Sequence, residues 1–505
     1  MAVPTVAWCH SLLERTRPDR RVFRFRAIAP FVREKESDPM FNDPQWRPLP
    51  AAAPASGAGL RPLRVGMIGI GTVGLGTWQV LARNQAQIAA RAGRGIEIVA
   101  VAARDLARAR RVLGEAASRV ELTGDPLALA THPGIDVLLE VAGGTDAPRE
   151  WVSAAIGLGK PVVTANKALL AVHGNALFAQ AESRGVPLAY EAAVAGGIPI
   201  VKALREGAAA NRVEWLAGIV NGTSNYILSR MRQAGLAFGD ALAEAQALGY
   251  AEADPTFDVD GIDAAHKTAL LAANAFGMPV RFDRAHVEGI RGVDALDVAA
   301  AREWGHAVKL LGIARRQGES VELRVHPALV PATHLLAQVE GAMNAVMLRG
   351  DAQGVALHYG AGAGAEPTAS AVVADLVDLA RQTVAQAGGP IRCTVPPLGV
   401  PGAALVDRPV LRMDDVVTRH YLRVPLRDGA EGMPPAALAQ WLAQAGVAVE
   451  RLDAWRPRGH GSGQAQLLAL TRPARDGAVR DVLQHAAQAD WCLGAPTHLR
   501  VESLD

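Results

Sequence analysis

The sequence predicts an α/β chain with three parts: a parallel doubly wound sheet in front, an α+β region in the middle and a small βαββαβ tail. Three observations carry this. Short apolar runs alternate with helical patterns from residue 63 to about 191, the rhythm of βαβ units. The rhythm lapses after that, and strands and helices follow one another irregularly to Val330, as in an α+β domain on an antiparallel sheet. Beyond the Pro/Gly-rich stretch 395–412, the elements read strand, helix, strand, strand, helix, strand, the ferredoxin-like order.

Composition bounds the function classes. The 505 residues fit about three domains. A net charge of +2 gives no broad field for nucleic acid or an anionic membrane. Cys9, Cys393 and Cys492 stand apart, so neither a disulfide framework nor a structural zinc site is expected. No apolar run reaches the roughly 18 residues of a membrane span, and a reducing cytoplasm is the expected location. Residues 1–60, Arg-rich and then Pro/Ala/Gly-rich, read as a poorly ordered extension.

The first strand, Leu63 to Ile68, runs into Gly69-Ile70-Gly71-Thr72-Val73-Gly74 and then a helical pattern. Strand, GxGxxG, helix is the Rossmann-type dinucleotide-binding arrangement. The first glycine makes the turn, the second admits the pyrophosphate to the backbone and the third lets helix and strand pack closely. Ile96 to Ala103 is the second strand. NAD folds usually place an acid at its end for the ribose 2′-hydroxyl; here Arg104 stands there with Asp105 behind it. Arg104 suits a 2′-phosphate and tilts the expected cofactor toward NADP, while Asp105 keeps NAD open. Strands at 135–141, 161–167 and 187–191 follow. Their carboxyl ends are where doubly wound sheets bind ligands, so Thr164, Asn166 and Lys167 are expected at the site. The small-residue loop after Glu191 exposes carbonyl oxygens, a donor type that suits a hard cation, and also reads simply as a tight turn entering a helix.

Gly249 to Lys267 is the most chemically loaded stretch, with five carboxylates and one lysine. Asp263 and Lys267, four residues apart on a helix running to Phe276, share a face with the acid first, the better orientation. The chain has six lysines against forty-six arginines, and lysine, unlike arginine, can give up its proton. That is a first hint that Lys267 is chemical; spacing alone fits an ordinary surface ion pair equally well.

Five motifs in order make residues 63 to about 420 resemble homoserine dehydrogenase: Gly69-x-Gly71-Thr72-Val73-Gly74; Thr164-Ala165-Asn166-Lys167; Asn221-Gly222-Thr223-Ser224-Asn225-Tyr226-Ile227-Leu228; Leu248 to Pro255 continuing to Asp263 and Lys267; and Gly362-Ala363-Gly364 with Pro367-Thr368-Ala369-Ser370. The resemblance implies reversible NADH- or NADPH-dependent reduction of aspartate 4-semialdehyde to homoserine. It implies catalytic roles for Lys267, Asp263 and Lys167, and substrate binding by Glu252 and Asp263. Cofactor binding falls to Gly69, Gly71, Thr72, Val73, Gly74, Arg104, Lys167 and Gly364. A structural sodium ion is implied at Glu191, Val194, Gly196 and Ile198. The implied division is an NAD(P)-binding domain at 61–190 completed by a helix at 368–385, a catalytic and dimerisation domain at 191–367, a linker at 395–412 and a tail at 415–505. The tail is similar to the ACT regulatory domain, implying threonine as an effector, although the usual acidic-x-Pro-Gly turn reads Arg427 to Pro435 here. A homodimer or homotetramer is the implied assembly.

Overall fold

The structure is a computed structural model and describes residues 60–385, 389–427, 434–456 and 465–504. Apart from residue 60, the extension expected over 1–60 lies outside the described residues, as do residues 428–433 of the stretch Arg427 to Pro435.

Six parallel strands form the first sheet: β1 (Leu63–Ile68), β2 (Ile96–Ala102), β3 (Glu121–Thr123), β4 (Val137–Glu140), β5 (Val162–Thr164) and β6 (Leu188–Ala189). Their order, β3-β2-β1-β4-β5-β6, is that of the dinucleotide-binding fold, with its switch point between β1 and β4. Helices cover both faces, so these strands are apolar on both sides: β4 and β5 are buried throughout. The helical pattern after the glycine turn is two helices, Thr72–Arg83 and Gln85–Ala92, with Asn84 between them. One helix comes from far along the chain. Ala365–Ala385 packs Ala369, Val372, Leu376 and Ala380 into the same core as Val65, Met67 and Val80. Its approach is close: a Cβ on Gly76 would lie 2.6 Å from the Ala365 carbonyl oxygen.

The second sheet contains β7 (Val213–Ile219), β8 (His286–Val287), β9 (His306–Gln317), β10 (Ser320–Pro331), β11 (Met343–Gly350), β12 (Gly354–Ala361), β13 (Val417–Pro425), β14 (Val449–Trp455), β15 (Gln466–Thr471), β16 (Ala474–Arg475) and β17 (Thr497–Val501). Its main order is β12-β11-β7-β9-β10-β17-β13-β15-β14. β7 and β9 to β12 are antiparallel to one another. The helix Ile262–Phe276 lies against this sheet, with its apolar residues from Ala264 to Phe276 in the core.

The tail, read from sequence as a separate piece, is joined to this sheet by backbone pairing. β17 runs parallel to β10, matching Ala328 with Arg500 and Leu329 with Val501, and the Glu502 N–H donates to the Leu329 carbonyl at 2.9 Å. The order β17-β13-β15-β14 is the ferredoxin-like arrangement. The stretch before it is also tied down. Tyr190 donates its hydroxyl to the Pro397 carbonyl (2.7 Å), and Leu411 N–H donates to Val321 (2.9 Å).

Candidate active site

The backbone of the turn itself requires glycine at two of its three glycine positions. Gly69 has φ of 101°, a conformation that favours glycine. A Cβ on Gly74 would meet the Gly69 carbonyl oxygen at 2.2 Å, whereas one on Gly71 would meet nothing within 4 Å. The helix Thr72–Arg83 has no side-chain cap at Gly71, and Gly71 and Thr72 are exposed. Its first N–H groups therefore remain available to a pyrophosphate. Gly364 (φ 125°) directly precedes the helix whose first residue, Ala365, abuts Gly76. At the end of β2, Asp105 accepts from the Arg108 N–H (2.8 Å) as the cap of Leu106–Leu113, while Arg104 is exposed.

At the ends of β4 and β5, Thr164 turns away from ligand space. It is fully buried, donates to Glu140 Oε2 (2.7 Å) and accepts from the Asn166 N–H (3.0 Å). Burial raises the Glu140 carboxyl above its usual range. Asn166 caps the helix Lys167–Arg184 by accepting from the Leu169 N–H (3.0 Å), and its Nδ2 donates to the Gly144 carbonyl (2.8 Å). Lys167 is thereby delivered at the start of that helix.

The two lysines singled out from sequence converge on one carboxylate. Lys267 Nζ donates to Asp263 Oδ2 (2.8 Å) and to the Val220 carbonyl (2.7 Å), and Lys167 Nζ lies 3.2 Å from Asp263 Oδ1. Asp263 and Lys267 are 4% and 8% exposed, which removes the surface-pair reading. Burial alone would raise the Asp263 carboxyl. The Lys267 and Lys167 ammonium groups, with hydrogen bonds from Lys267 and Asn221, outweigh it and hold the group at about 2. Burial lowers the Lys267 ammonium, opposed by Asp263 and reinforced by Lys167. A buried lysine with a lowered pKa is matched to giving up a proton.

Sequence reasoning gave no role to several groups around this pair. Asn221 Nδ2 donates to both Asp258 Oδ1 and Asp263 Oδ2 (2.8 Å each), and its Oδ1 accepts from the Ser224 N–H as cap of the helix Gly222–Ala234. Burial, and then the Asp263 charge, raise the Asp258 carboxyl. Phe257 presents its ring 5.6 Å from Lys167 Nζ and packs edge-on against His266, whose imidazole burial holds at about 4. An asparagine opening a Gly-Thr-Ser run is a cap signal; its reach to carboxylates some forty residues on has no local trace. Glu252 is exposed on the loop after the helix Phe238–Ala247, and its carbonyl accepts from Gln246 Nε2 (3.0 Å).

The loop after Glu191 turns through Ala195 (φ 56°) and Gly196 (φ 52°). The Glu191 carboxylate is occupied, accepting from the Val201 and Lys202 N–H groups (2.9 and 2.8 Å). The Glu191 main-chain carbonyl accepts from the Val194 N–H (3.3 Å). Val194 and Gly196 are buried, and among the described residues their carbonyls take no hydrogen bond. Such buried oxygens suit a hard cation.

No helix among the described residues is long and apolar enough to cross a membrane. Comparison with known proteins points to one family. The family model described as "Homoserine dehydrogenase, NAD binding domain" covers residues 69–191 and that described as "Homoserine dehydrogenase" covers 199–377. The chain is 48% identical over 449 residues to the homoserine dehydrogenase of Pseudomonas aeruginosa and 45% identical over 446 residues to that of Neisseria gonorrhoeae, in both cases covering 88% of this chain and 100% of the relative. The crystal structure of a homoserine dehydrogenase from Thiobacillus denitrificans superposes with a TM-score of 0.81 at 48% identity, over 88% of this chain and 99% of that one. A hyperthermophilic archaeal homoserine dehydrogenase in complex with NADPH matches at a TM-score of 0.54 and 26% identity, over 66% of this chain and all of the other. With a glycine turn built for a dinucleotide, two lysines meeting on one buried aspartate, and relatives matched along their whole length, this chain belongs to the homoserine dehydrogenase family.

Proposed function

We propose that this chain reduces L-aspartate 4-semialdehyde to L-homoserine, reversibly, in threonine, methionine and isoleucine biosynthesis, with Lys267 as the proton donor. The observation that carries this is the convergence of Lys267 and Lys167 on Asp263. A nicotinamide supplies or accepts the hydride. Charge builds on the aldehyde oxygen as reduction proceeds, and an adjacent ammonium stabilises and then protonates it. Lys267 performs that step. Asp263 orients Lys267, as its two partners in the pair require, and takes part in holding substrate. Lys167, only partly buried, reaches from the strand ends of the nucleotide sheet toward the same carboxylate and bridges cofactor and substrate. Glu252 binds the substrate ammonium from its exposed loop.

Exposed Arg104, with Asp105 committed to a cap, favours NADP over NAD, the cofactor phosphates being held by the turn from Gly69 to Gly74 together with Gly364. Sodium sits at the carbonyls of Glu191, Val194, Gly196 and Ile198 and braces the loop. The protein works in the cytoplasm as a homodimer or homotetramer, with the tail as an ACT-like domain for threonine. The test is the initial rate of homoserine-dependent nicotinamide reduction by the purified chain, with NAD and NADP compared and threonine added. Turnover of homoserine with a preference for NADP supports the proposal; no homoserine-dependent rate with either cofactor refutes it.

A further inference from the structure

The tail contains a cluster that the dehydrogenase chemistry leaves unused. His420 on β13, His498 on β17 and Asp476, the first residue of the helix Asp476–Ala486, point their polar atoms at one another. His420 Nδ1 lies 2.9 Å from His498 Nε2, and Asp476 Oδ1 lies 3.8 Å from that same nitrogen. One nitrogen or oxygen from each residue falls within 4.8 Å of the others. His420 is completely buried and Asp476 is 1% exposed.

Three further features bear on what the cluster holds. First, His420 Nε2 faces the Ala474 carbonyl at 3.0 Å. A carbonyl only accepts, so Nε2 carries the hydrogen and Nδ1 presents a bare lone pair to the centre. This carbonyl-to-imidazole bond is the arrangement that orients ligating histidines. Second, Arg500 holds the Asp476 carboxylate from the other side, Nε to Oδ1 at 2.7 Å and Nη2 to Oδ2 at 3.2 Å, leaving Oδ1 a lone pair for the centre. Third, the surrounding network is short of positive charge. Arg500 also pairs with Glu288, and Arg324 pairs with Glu322 and Glu502. Four carboxylates thus share two guanidinium groups, helped by His286 on Glu288 and Gln317 on Glu322. Glu288 is part-exposed and meets His286, whereas Asp476, Glu322 and Glu502 are buried beside the two guanidinium groups. A buried carboxylate without a cation of its own is costly unless something cationic shares the space.

We infer that His420, His498 and Asp476 form a divalent-cation site of the Zn(II) type, tying the first and last strands of the tail to the helix that starts at Asp476. Two imidazole nitrogens and one carboxylate oxygen are a zinc ligand set, and the fourth tetrahedral position falls to water. Zn–N bonds of about 2.0–2.1 Å place tetrahedral donors about 3.3 Å apart, so binding opens the His420–His498 pair slightly from 2.9 Å and draws Asp476 Oδ1 inward from its 3.8 Å to His498 Nε2. Binding moves the His498 proton from Nε2 to Nδ1, with no net proton released. The cluster spans β13 and β17, and β17 is the strand that pairs with β10, so the ion would lock the tail where it meets the catalytic sheet.

The test uses the full-length chain, stripped with a chelator and dialysed. It is titrated with Zn(II), passed through gel filtration and analysed for metal; Co(II) is titrated in parallel and followed by visible absorption. The expected result is about one equivalent of zinc retained per chain, tetrahedral Co(II) bands, and loss of both in His498→Gln, with homoserine turnover unchanged. His498→Asn replaces that variant should it fail to fold. Wild-type protein that retains no zinc and shows no Co(II) bands overturns the inference, as does equal retention by wild type and variant. Homoserine turnover is independent of this result.

Discussion

Replacing Lys267 with alanine separates a chemical lysine from a structural one. The variant loses two hydrogen bonds, to Asp263 Oδ2 (2.8 Å) and to the Val220 carbonyl (2.7 Å). Breaking a buried ion pair costs about 3–5 kcal/mol when the remaining charge is abandoned. Asp263 is not abandoned here, because Lys167 stays at 3.2 Å and Asn221 at 2.8 Å. The expected stability loss is therefore nearer the about 1–3 kcal/mol of one unsatisfied buried group, and the chain still folds. Loss of general acid–base help costs about 10²–10⁴-fold in kcat, or roughly 2.7–5.4 kcal/mol in the barrier. Initial rates of homoserine oxidation, with denaturant unfolding on the same samples, read both quantities. Lys267→Arg sharpens the comparison: it keeps the positive charge but holds its proton too tightly to donate it, so it too is expected to be nearly inactive. A Lys267→Ala enzyme within a fewfold of wild-type kcat would refute the assigned role.

Other outcomes follow from the same geometry. Burial lowers the Lys267 ammonium, so aldehyde reduction, which needs the protonated form, is lost as pH rises through a value below the ordinary ~10.4 of lysine. Homoserine oxidation, which needs the free amine, rises through the same value, and paired pH–rate profiles in the two directions check the crossing. Asn221→Ala removes a shared donor from Asp258 and Asp263 and a helix cap. It is expected to lower Tm by an amount equivalent to about 1–2 kcal/mol, and to reduce kcat about tenfold as the Lys267 pair loses its alignment. Arg104→Ala is expected to raise KM for NADPH while leaving that for NADH near wild type; equal change in both would remove the 2′-phosphate role. Gly74→Val drives its side chain into the Gly69 carbonyl, where even a Cβ would stand at 2.2 Å, and equilibrium titration is expected to show loss of dinucleotide binding.

Much of this architecture is written in local patterns. The alternation of apolar strands and helices gives the parallel sheet, and the spacing of Gly69, Gly71 and Gly74 gives its cofactor turn. The i,i+4 step from Asp263 to Lys267 gives half of the site, because both residues lie on one helix. Lys167 could be placed only at a strand end; its arrival at Asp263 depends on how the helices Lys167–Arg184 and Ile262–Phe276 pack, which no local pattern encodes. Thr164 shows the limit of the strand-end rule. It stands where ligands bind, yet it faces inward, because the buried Glu140 carboxylate needs its hydroxyl. The triangle of Asn221, Asp258 and Asp263 joins residues some forty positions apart. The seam between β10 and β17 joins strands about 170 positions apart, so the tail read as a piece of its own from the Pro/Gly-rich stretch before it.

The proposed chemistry requires Lys167, Lys267 and Asp263 to close around a carbonyl carbon beside a nicotinamide ring. A crystal structure of the chain with homoserine and an oxidised nicotinamide cofactor tests it most directly. The account predicts the homoserine hydroxyl oxygen within about 2.6–3.2 Å of Lys267 Nζ, with Lys167 between substrate and ring. A homoserine molecule whose hydroxyl lies far from Lys267, with that ammonium still turned to Asp263 and Val220 alone, would contradict it.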